Sequence, residues 1–266
     1  MFTAVSAFNW NINDAQQYLF YSYAAYCNTD KVADWSCKWC SEPSVIDFEP
    51  IAFPYDRKID GYGYIGIHHT NQTSKNIFWY KALIIILLTN HILVVVAFRG
   101  SHDIRNYIID LESIVLTPYK NMTGIEVGDG FYKEWNDLLP QVVPVVQDLV
   151  NENPTYDVWV TGHSLGAAVS ILCAVELAEQ KIANISVYNY GLPRVGNQAF
   201  SEYYNSLVPQ TYRVVNGHDI VPHIPFESMG FYQVPTEVWE NPAECEYLNK
   251  IFVILSIIIL KLFLLF

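Results

Sequence analysis

Tyr156 to Val169 reads YDVWVTGHSLGAAV, and this stretch decides how the chain folds. Val158, Trp159 and Val160 are β-prone, whereas Ala167, Ala168, Ile171, Leu172, Val175, Leu177 and Ala178 recur at a spacing that suits an apolar helix. Between them stands Gly162-His163-Ser164-Leu165-Gly166. A strand that turns straight into a helix forces strained backbone angles on the central residue, and glycines two places to either side remove the Cβ atoms that would collide. The pentapeptide is a nucleophile elbow, which predicts that Ser164 stands exposed at the carboxyl edge of a sheet.

A serine hydroxyl attacks only when a base takes its proton, and the base needs a third group to orient it. Asp219 is the candidate acid: it follows a predicted strand, Tyr212 to Val215, and lies C-terminal to Ser164, as the chain order Ser, Asp, His of elbow hydrolases requires. A developing oxyanion needs donors aimed in advance. The backbone N–H of Leu165 supplies one, and Ser101, in the turn Arg99-Gly100-Ser101 after another predicted strand, offers its N–H and its hydroxyl. The base is harder to place among His68, His69, His91, His102, His163, His218 and His223. His163 and His218 adjoin Ser164 and Asp219, so their side chains are expected to point elsewhere. His223 alone follows Asp219, with Ile220, Val221 and Pro222 between them. The base stays unknown at this level, and His223 is a weak substitute.

The rest of the chain is read outward from the elbow. Asn13 is the expected cap of a helix reaching about Cys27, with Ala15, Tyr18, Leu19, Tyr21, Tyr23 and Ala24 facing a sheet. Pro43, Pro50 and Pro54 predict irregular structure from Ala33 to Asp60 around a short strand at Val45 to Phe48. Tyr64 to His69 and Ile92 to Phe98 read as strands, the second β-branched enough for a central position. Ile104 to Leu111 suits a short amphipathic helix. Phe131 to Val150 reads as a helix capped at Asp129 or Gly130, which Pro140 and Pro144 should kink or divide. Ile185 to Tyr190 is a strand and Gln198 to Ser206 a helix. Strands alternating with helices predict an α/β fold, a mostly parallel central sheet flanked by helices. No linker or repeat interrupts it, so residues 1–249 are expected to form a single domain.

Composition bounds the partners. Fifteen Lys plus Arg against 27 Asp plus Glu leave a formal charge of -12, which repels phosphate backbones and excludes nucleic acid as the natural partner. Of the five cysteines, Cys27, Cys37 and Cys40 crowd near the N-terminus. No second pair stands at zinc-finger spacing, so disulfides in an oxidising compartment are the expected use, and Cys173 in the helix after the elbow is expected to be buried. Asn71-Gln72-Thr73, Asn121-Met122-Thr123 and Asn184-Ile185-Ser186 match the glycosylation acceptor pattern and point weakly the same way. Met1 to Trp10 lacks the charged n-region and the length of a signal peptide, so the expectation is either a truncated start or a protein that is not secreted. The expected location is secreted or extracytoplasmic.

Four ordered motifs carry a family resemblance: Phe98-Arg99-Gly100-Ser101, Thr161 to Ala168, Tyr190-Gly191-Leu192-Pro193-Arg194-Val195-Gly196-Asn197, and Asp219-Ile220-Val221-Pro222-His223-Ile224-Pro225. Together they resemble the class 3, fungal-type triacylglycerol lipases over Gly61 to Trp239. The resemblance implies the α/β-hydrolase fold, Ser164 as nucleophile, Asp219 as triad acid, and Ser101 with Leu165 as oxyanion hole. It also implies that Ile104 to Leu111 is a helical lid, closed in water and open at a lipid surface. Gly230 to Tyr232 and Glu237 to Trp239 resemble the family's next strands. The chain departs from the pattern twice. Most residues between Ser74 and Asn90 have no counterpart, and after about Asn249 the family's closing segment, with its catalytic histidine, gives way to IFVILSIIILKLFLLF at Ile251 to Phe266. This apolar tail, 250–266, is expected to be either a membrane anchor, short against the ~20 residues of a span, or translated noncoding sequence.

The function expected from these residues is hydrolysis of acylglycerols or related lipid esters through an acyl-enzyme at Ser164, without metal or organic cofactor. The partner is then a lipid ester at an interface, with contact to a membrane surface and no protein partner. The alternative is an inactive lipase-like protein that binds lipid or membrane through the lid and tail.

Overall fold

Both faces of Ile92–Phe98 are apolar, and both are covered. Val94, Val96 and Phe98 belong to a core on one side of the sheet, Val95 and Ala97 to a second core on the other, as a strand buried mid-sheet demands. The computed structural model describes residues 10–58, 60–69, 78–80, 83–85, 92–111 and 113–241. In chain order its elements are α1 (Ile12–Ala24), α2 (Thr29–Ala33), β1 (Phe48–Ala52), β2 (Tyr55–Asp56), β3 (Gly61–His69), β4 (Phe78–Tyr80), β5 (Leu83–Ile85), β6 (Ile92–Phe98), α3 (Ile104–Leu111), β7 (Leu116–Pro118), β8 (Glu126–Gly128), α4 (Asp129–Glu152), β9 (Asp157–His163), α5 (Leu165–Glu179), β10 (Ile185–Tyr190), α6 (Gln198–Leu207), β11 (Thr211–Asn216) and β12 (Glu237–Glu240).

The main sheet runs β1-β3-β6-β9-β10-β11-β12, with β2 paired to β3. From β6 to β12 every pairing is parallel, whereas β1, β2 and β3 pair antiparallel. The expected mostly parallel sheet flanked by helices is therefore present. Parallel strands put their carboxyl ends on one edge, where α/β folds hold their ligands. Ser101, Ser164, Gly191 and Asp219 follow the ends of β6, β9, β10 and β11, so topology alone gathers them.

Helices α4 and α5 cover one face. Nearly every α5 residue from Gly166 to Leu177 is buried, Cys173 included, as the sequence predicts. On the other face α1 is bolted down by hydroxyls. Ser22 Oγ and Thr161 Oγ1 of β9 are 2.7 Å apart, Tyr64 Oη of β3 donates to the Tyr21 carbonyl at 2.7 Å, and Tyr190 Oη of β10 donates to the Ala15 carbonyl. Cys37 and Cys40 form a disulfide, and Cys27 is free; Cys245 and the apolar tail lie outside the described residues.

Several local expectations need correction. The α1 cap is Asn11, whose side chain takes the Asn13 N–H at 2.9 Å, so Asn13 lies within the helix. The strand expected at Val45 begins at Phe48, because the Val45 N–H closes a turn on Glu42 and its carbonyl accepts the Trp35 indole. Asn28 caps a short helix, α2, just ahead of the stretch read as irregular, where the sequence reading placed no element. Pro140 and Pro144 do not divide α4. One turn apart on the exposed side of the helix, they leave the carbonyls they strip of partners facing solvent. Around Tyr232 there is only an isolated bridge to Gly196, since Pro235 has no N–H with which to extend a ladder. The apolar run 77–88 contributes the antiparallel pair β4 and β5, and its other residues lie outside the described set.

Candidate active site

The elbow is built from close approaches that only glycine permits. A Cβ on Gly162 would meet the backbone of Gly166 and stand 2.7 Å from the Ala167 nitrogen; one on Gly166 would press into the end of β6, 2.7 Å from the Arg99 carbonyl carbon. Gly100 is similarly confined, with the His163 carbonyl oxygen 2.5 Å and Ser164 Cβ 3.3 Å from its missing Cβ. The oxyanion turn and the elbow therefore touch. Ser164 itself adopts φ 57, ψ -123, a region costly for any L-residue, and its N–H donates to the Tyr190 carbonyl at 3.0 Å.

Against the expected exposure, Ser164 is only 1% exposed, because the Gly100 turn packs against its Cβ; its Oγ has no hydrogen-bond partner among the described residues. Asp219 arrives from β11 through a turn closed by its own N–H on the Asn216 carbonyl. Its Oδ1 accepts the Val221 N–H at 3.0 Å, while Oδ2 lies 2.8 Å from the Cβ point of Gly191, over the end of β10. Burial raises its carboxyl pKa, with the Val221 N–H and the nearby His223 acting against the shift. The candidate acid is thus carried to the same edge as the candidate nucleophile, two strands away.

Leu165 opens α5, so its N–H sits at the positive end of that helix. Ser101 is adjacent through Gly100, but its hydroxyl is engaged: it pairs with the Asp103 carbonyl and the Asp103 N–H, both at 3.2 Å. That reciprocal turn leaves the backbone N–H of Ser101 as the more natural donor and uses the hydroxyl to fix the loop.

The histidines separate clearly. His68 is buried against Tyr21 and Gln17, His69 pairs with Glu49, and His102, His218 and His223 are exposed. His223 lies in a 3-10 turn whose carbonyl holds Arg194. His91 is outside the described residues. His163 does turn away from Ser164 Oγ, as expected: its Nδ1 meets Tyr26 Oη at 2.8 Å, and burial lowers its pKa to about 4.

Helix α3 follows the Ser101 turn. Tyr107 and Leu111 are buried and Ile108 is half-buried against the core that includes Phe131 and Trp135, while Ile109 is 57% exposed. The side chain of Ile104 is outside the described set. Sequence reading missed Tyr26 and two acids. Glu134 of α4 is buried and pushed up to about 8, despite the attraction of Arg99; Glu240 at the end of β12 is buried and pushed up to about 7. Glu134 falls within an amphipathic helix and carries no local motif, and Tyr26 is one aromatic among many near α1.

This geometry has known counterparts. The family model of class 3 lipases matches residues 95–229. The lipase of Rhizomucor miehei is 39% identical over 148 residues, which cover 54% of this chain and 40% of that protein. The secreted mono- and diacylglycerol lipase A of Penicillium camembertii is 30% identical over 226 residues, covering 82% of this chain and 67% of the relative. Among solved structures, Rhizomucor miehei triacylglyceride lipase superposes with a TM-score of 0.72 at 31% identity, covering 86% of this chain and 79% of that one. A triacylglycerol lipase whose catalytic centre is a serine protease triad gives a TM-score of 0.71, with the same identity and coverage. The parallel sheet, the strained serine between packed glycines and these likenesses agree: the chain belongs to the class 3 lipase family and has the α/β-hydrolase fold.

Proposed function

We propose that this chain is the core of a serine ester hydrolase that acts on acylglycerols through an acyl-enzyme at Ser164. The observation that carries the reading is Ser164 held at φ 57 between Gly162 and Gly166, with its hydroxyl unengaged among the described residues. Strain of this kind persists only where the surroundings over-determine it, and here it lifts one hydroxyl out of the strand. Asp219 is the orienting acid. Leu165 and Ser101 stabilise the oxyanion with their backbone N–H groups, worth about 3 kcal/mol per donor in a comparable site. The imidazole belongs between Asp219 Oδ2 and Ser164 Oγ, where it would take the serine proton and return it to the leaving alcohol.

The substrate class follows from the relatives, which are named as lipases of mono- and diacylglycerols and of triacylglycerols. A lipid ester at an interface suits α3, whose inward side is apolar. Residues 1–249 form one catalytic domain, supported by the single sheet that joins β1 to β12. The Cys37–Cys40 disulfide and the secreted relatives favour an extracytoplasmic setting. A short-chain chromogenic ester tests the reading in a form of the enzyme that carries a base: hydrolysis abolished by Ser164→Ala supports it. Lipid binding with no Ser164-dependent turnover would favour the inactive, lipid-binding alternative.

A further inference from the structure

Tyr26 lies just beyond α1, far in sequence from every residue assigned to the chemistry, yet its hydroxyl stands between the chain neighbours of two of them, Ser164 and Ser101. Its oxygen is 2.8 Å from His163 Nδ1, one residue before Ser164. The same oxygen occupies the space where Gly100 would need a Cβ, one residue before Ser101. We propose that Tyr26 is a positioning residue, whose hydroxyl ties the oxyanion turn to the nucleophile elbow and sets the distance between their donors and Ser164. This rests on the serine-hydrolase reading of Ser164.

In this bridge the Tyr26 hydroxyl donates its hydrogen to His163 Nδ1, so Nδ1 accepts and Nε2 carries the N–H. Nε2 lies 3.7 Å from the Cβ point of Gly191, the point that Asp219 Oδ2 approaches to 2.8 Å. The bridge thus runs from the Gly100 turn through Tyr26 to an imidazole whose far nitrogen faces Gly191, the residue that Asp219 Oδ2 also approaches. Its anchor is rigid. Ser22 and Tyr21, within two turns of Tyr26, are hydrogen-bonded to Thr161 of β9 and Tyr64 of β3. Tyr26 therefore reports the position of the sheet, not of a mobile loop. Oxyanion donors act only when they lie within hydrogen-bonding distance of the developing charge. Releasing Gly100 from Tyr26 loosens that distance without touching Ser164.

The test combines His163 imidazole nitrogen NMR with the kinetics of Ser164 labelling by a soluble p-nitrophenyl phosphonate, with free imidazole added to the labelling reaction as the base, on the 266-residue chain and its Tyr26→Phe variant. In the unsubstituted chain His163 should be the Nε2–H tautomer, neutral at pH 6. Tyr26→Phe should change that tautomer balance and slow the maximal labelling rate ~10-fold, with reagent affinity and melting temperature nearly unchanged, since a small misplacement penalises the reacting complex rather than binding. An Nδ1–H tautomer in the unsubstituted chain overturns the bridge whatever the variant does. So does a maximal labelling rate within twofold, or a loss confined to affinity. If the unsubstituted chain takes no label at Ser164, the nucleophile reading fails instead, and the tautomer alone decides whether the bridge exists.

Discussion

Gly162 and Ala167 approach so closely that a Cβ on Gly162 would stand 2.7 Å from the Ala167 nitrogen, with the Gly166 carbonyl closer still. All these neighbours are backbone atoms at the joint of β9 and α5, so no side chain can swing aside. Gly162→Ala should therefore destabilise the fold by about 3 kcal/mol, the upper end of overpacking costs, and lower the urea midpoint accordingly. A midpoint unchanged within error would mean that the elbow relaxes freely and that its strain is not enforced by packing.

Glu134 supplies a pH dependence. Its ordinary pKa is 4.5, and burial raises it to about 8 in the folded chain, while Arg99 opposes the rise and Asp60 and Asp137 add to it. The folded state therefore holds a proton that the unfolded chain has released. This contribution is full below about pH 4.5 and is lost as pH climbs to about 8, at ~1.4 kcal/mol per pH unit at most. His163 and His68, lowered to about 4 from 6.5, act oppositely but only below pH 6.5. Melting temperature should thus fall between pH 6.5 and 8.5, and Glu134→Gln should flatten that fall. Parallel curves for the two proteins would refute the assignment.

Most of this fold was legible because strand and helix periods were uninterrupted where both faces are buried. Ile92 to Phe98 and Ile185 to Tyr190 read correctly since nothing else fits seven or six apolar-rich residues inside a sheet. The failures share a cause: Pro140 and Pro144 look like breakers until their exposed position is known, and Trp35 claims the Val45 carbonyl from ten residues away. In the site, Ser164, Asp219 and the Gly100 turn carry local signatures. Tyr26 and Glu134 do not, because their roles come from packing between elements distant in sequence.

The lid reading makes a sharper prediction than the sequence allowed. Leu111 is 1% exposed and Ile108 half-buried, so both face inward, whereas Ile109 already faces water. Ile108→Asp should blunt the rise in rate that an active form shows when substrate passes its solubility limit, because the apolar face then exchanges water for lipid less favourably. Ile109→Asp should leave hydrolysis of a dissolved ester unchanged. A smooth saturation curve through the solubility limit in the unsubstituted active form would remove the lid.

No described histidine hydrogen-bonds Ser164 Oγ, and the sequence holds none after His223. In a dissected serine protease, loss of the histidine costs on the order of a million-fold in turnover. The 266-residue chain should hydrolyse a short-chain ester near background, and free imidazole should restore part of the rate in a Ser164-dependent way. A longer form that supplies a histidine near Asp219 should exceed both. Robust hydrolysis by the 266-residue chain without imidazole would contradict this and make His223→Ala the next variant.

The nucleophile is the centre of the account, and covalent labelling reads it without requiring turnover. The 266-residue chain, incubated with an organophosphonate in the presence of free imidazole as the base and mapped by mass spectrometry, should carry a single adduct on the peptide containing Ser164. Ser164→Ala should remain unlabelled while keeping its melting temperature, as a small side chain without hydrogen bonds contributes little to stability. An adduct that persists in Ser164→Ala, or one that maps to another residue of the unsubstituted chain, would contradict the account.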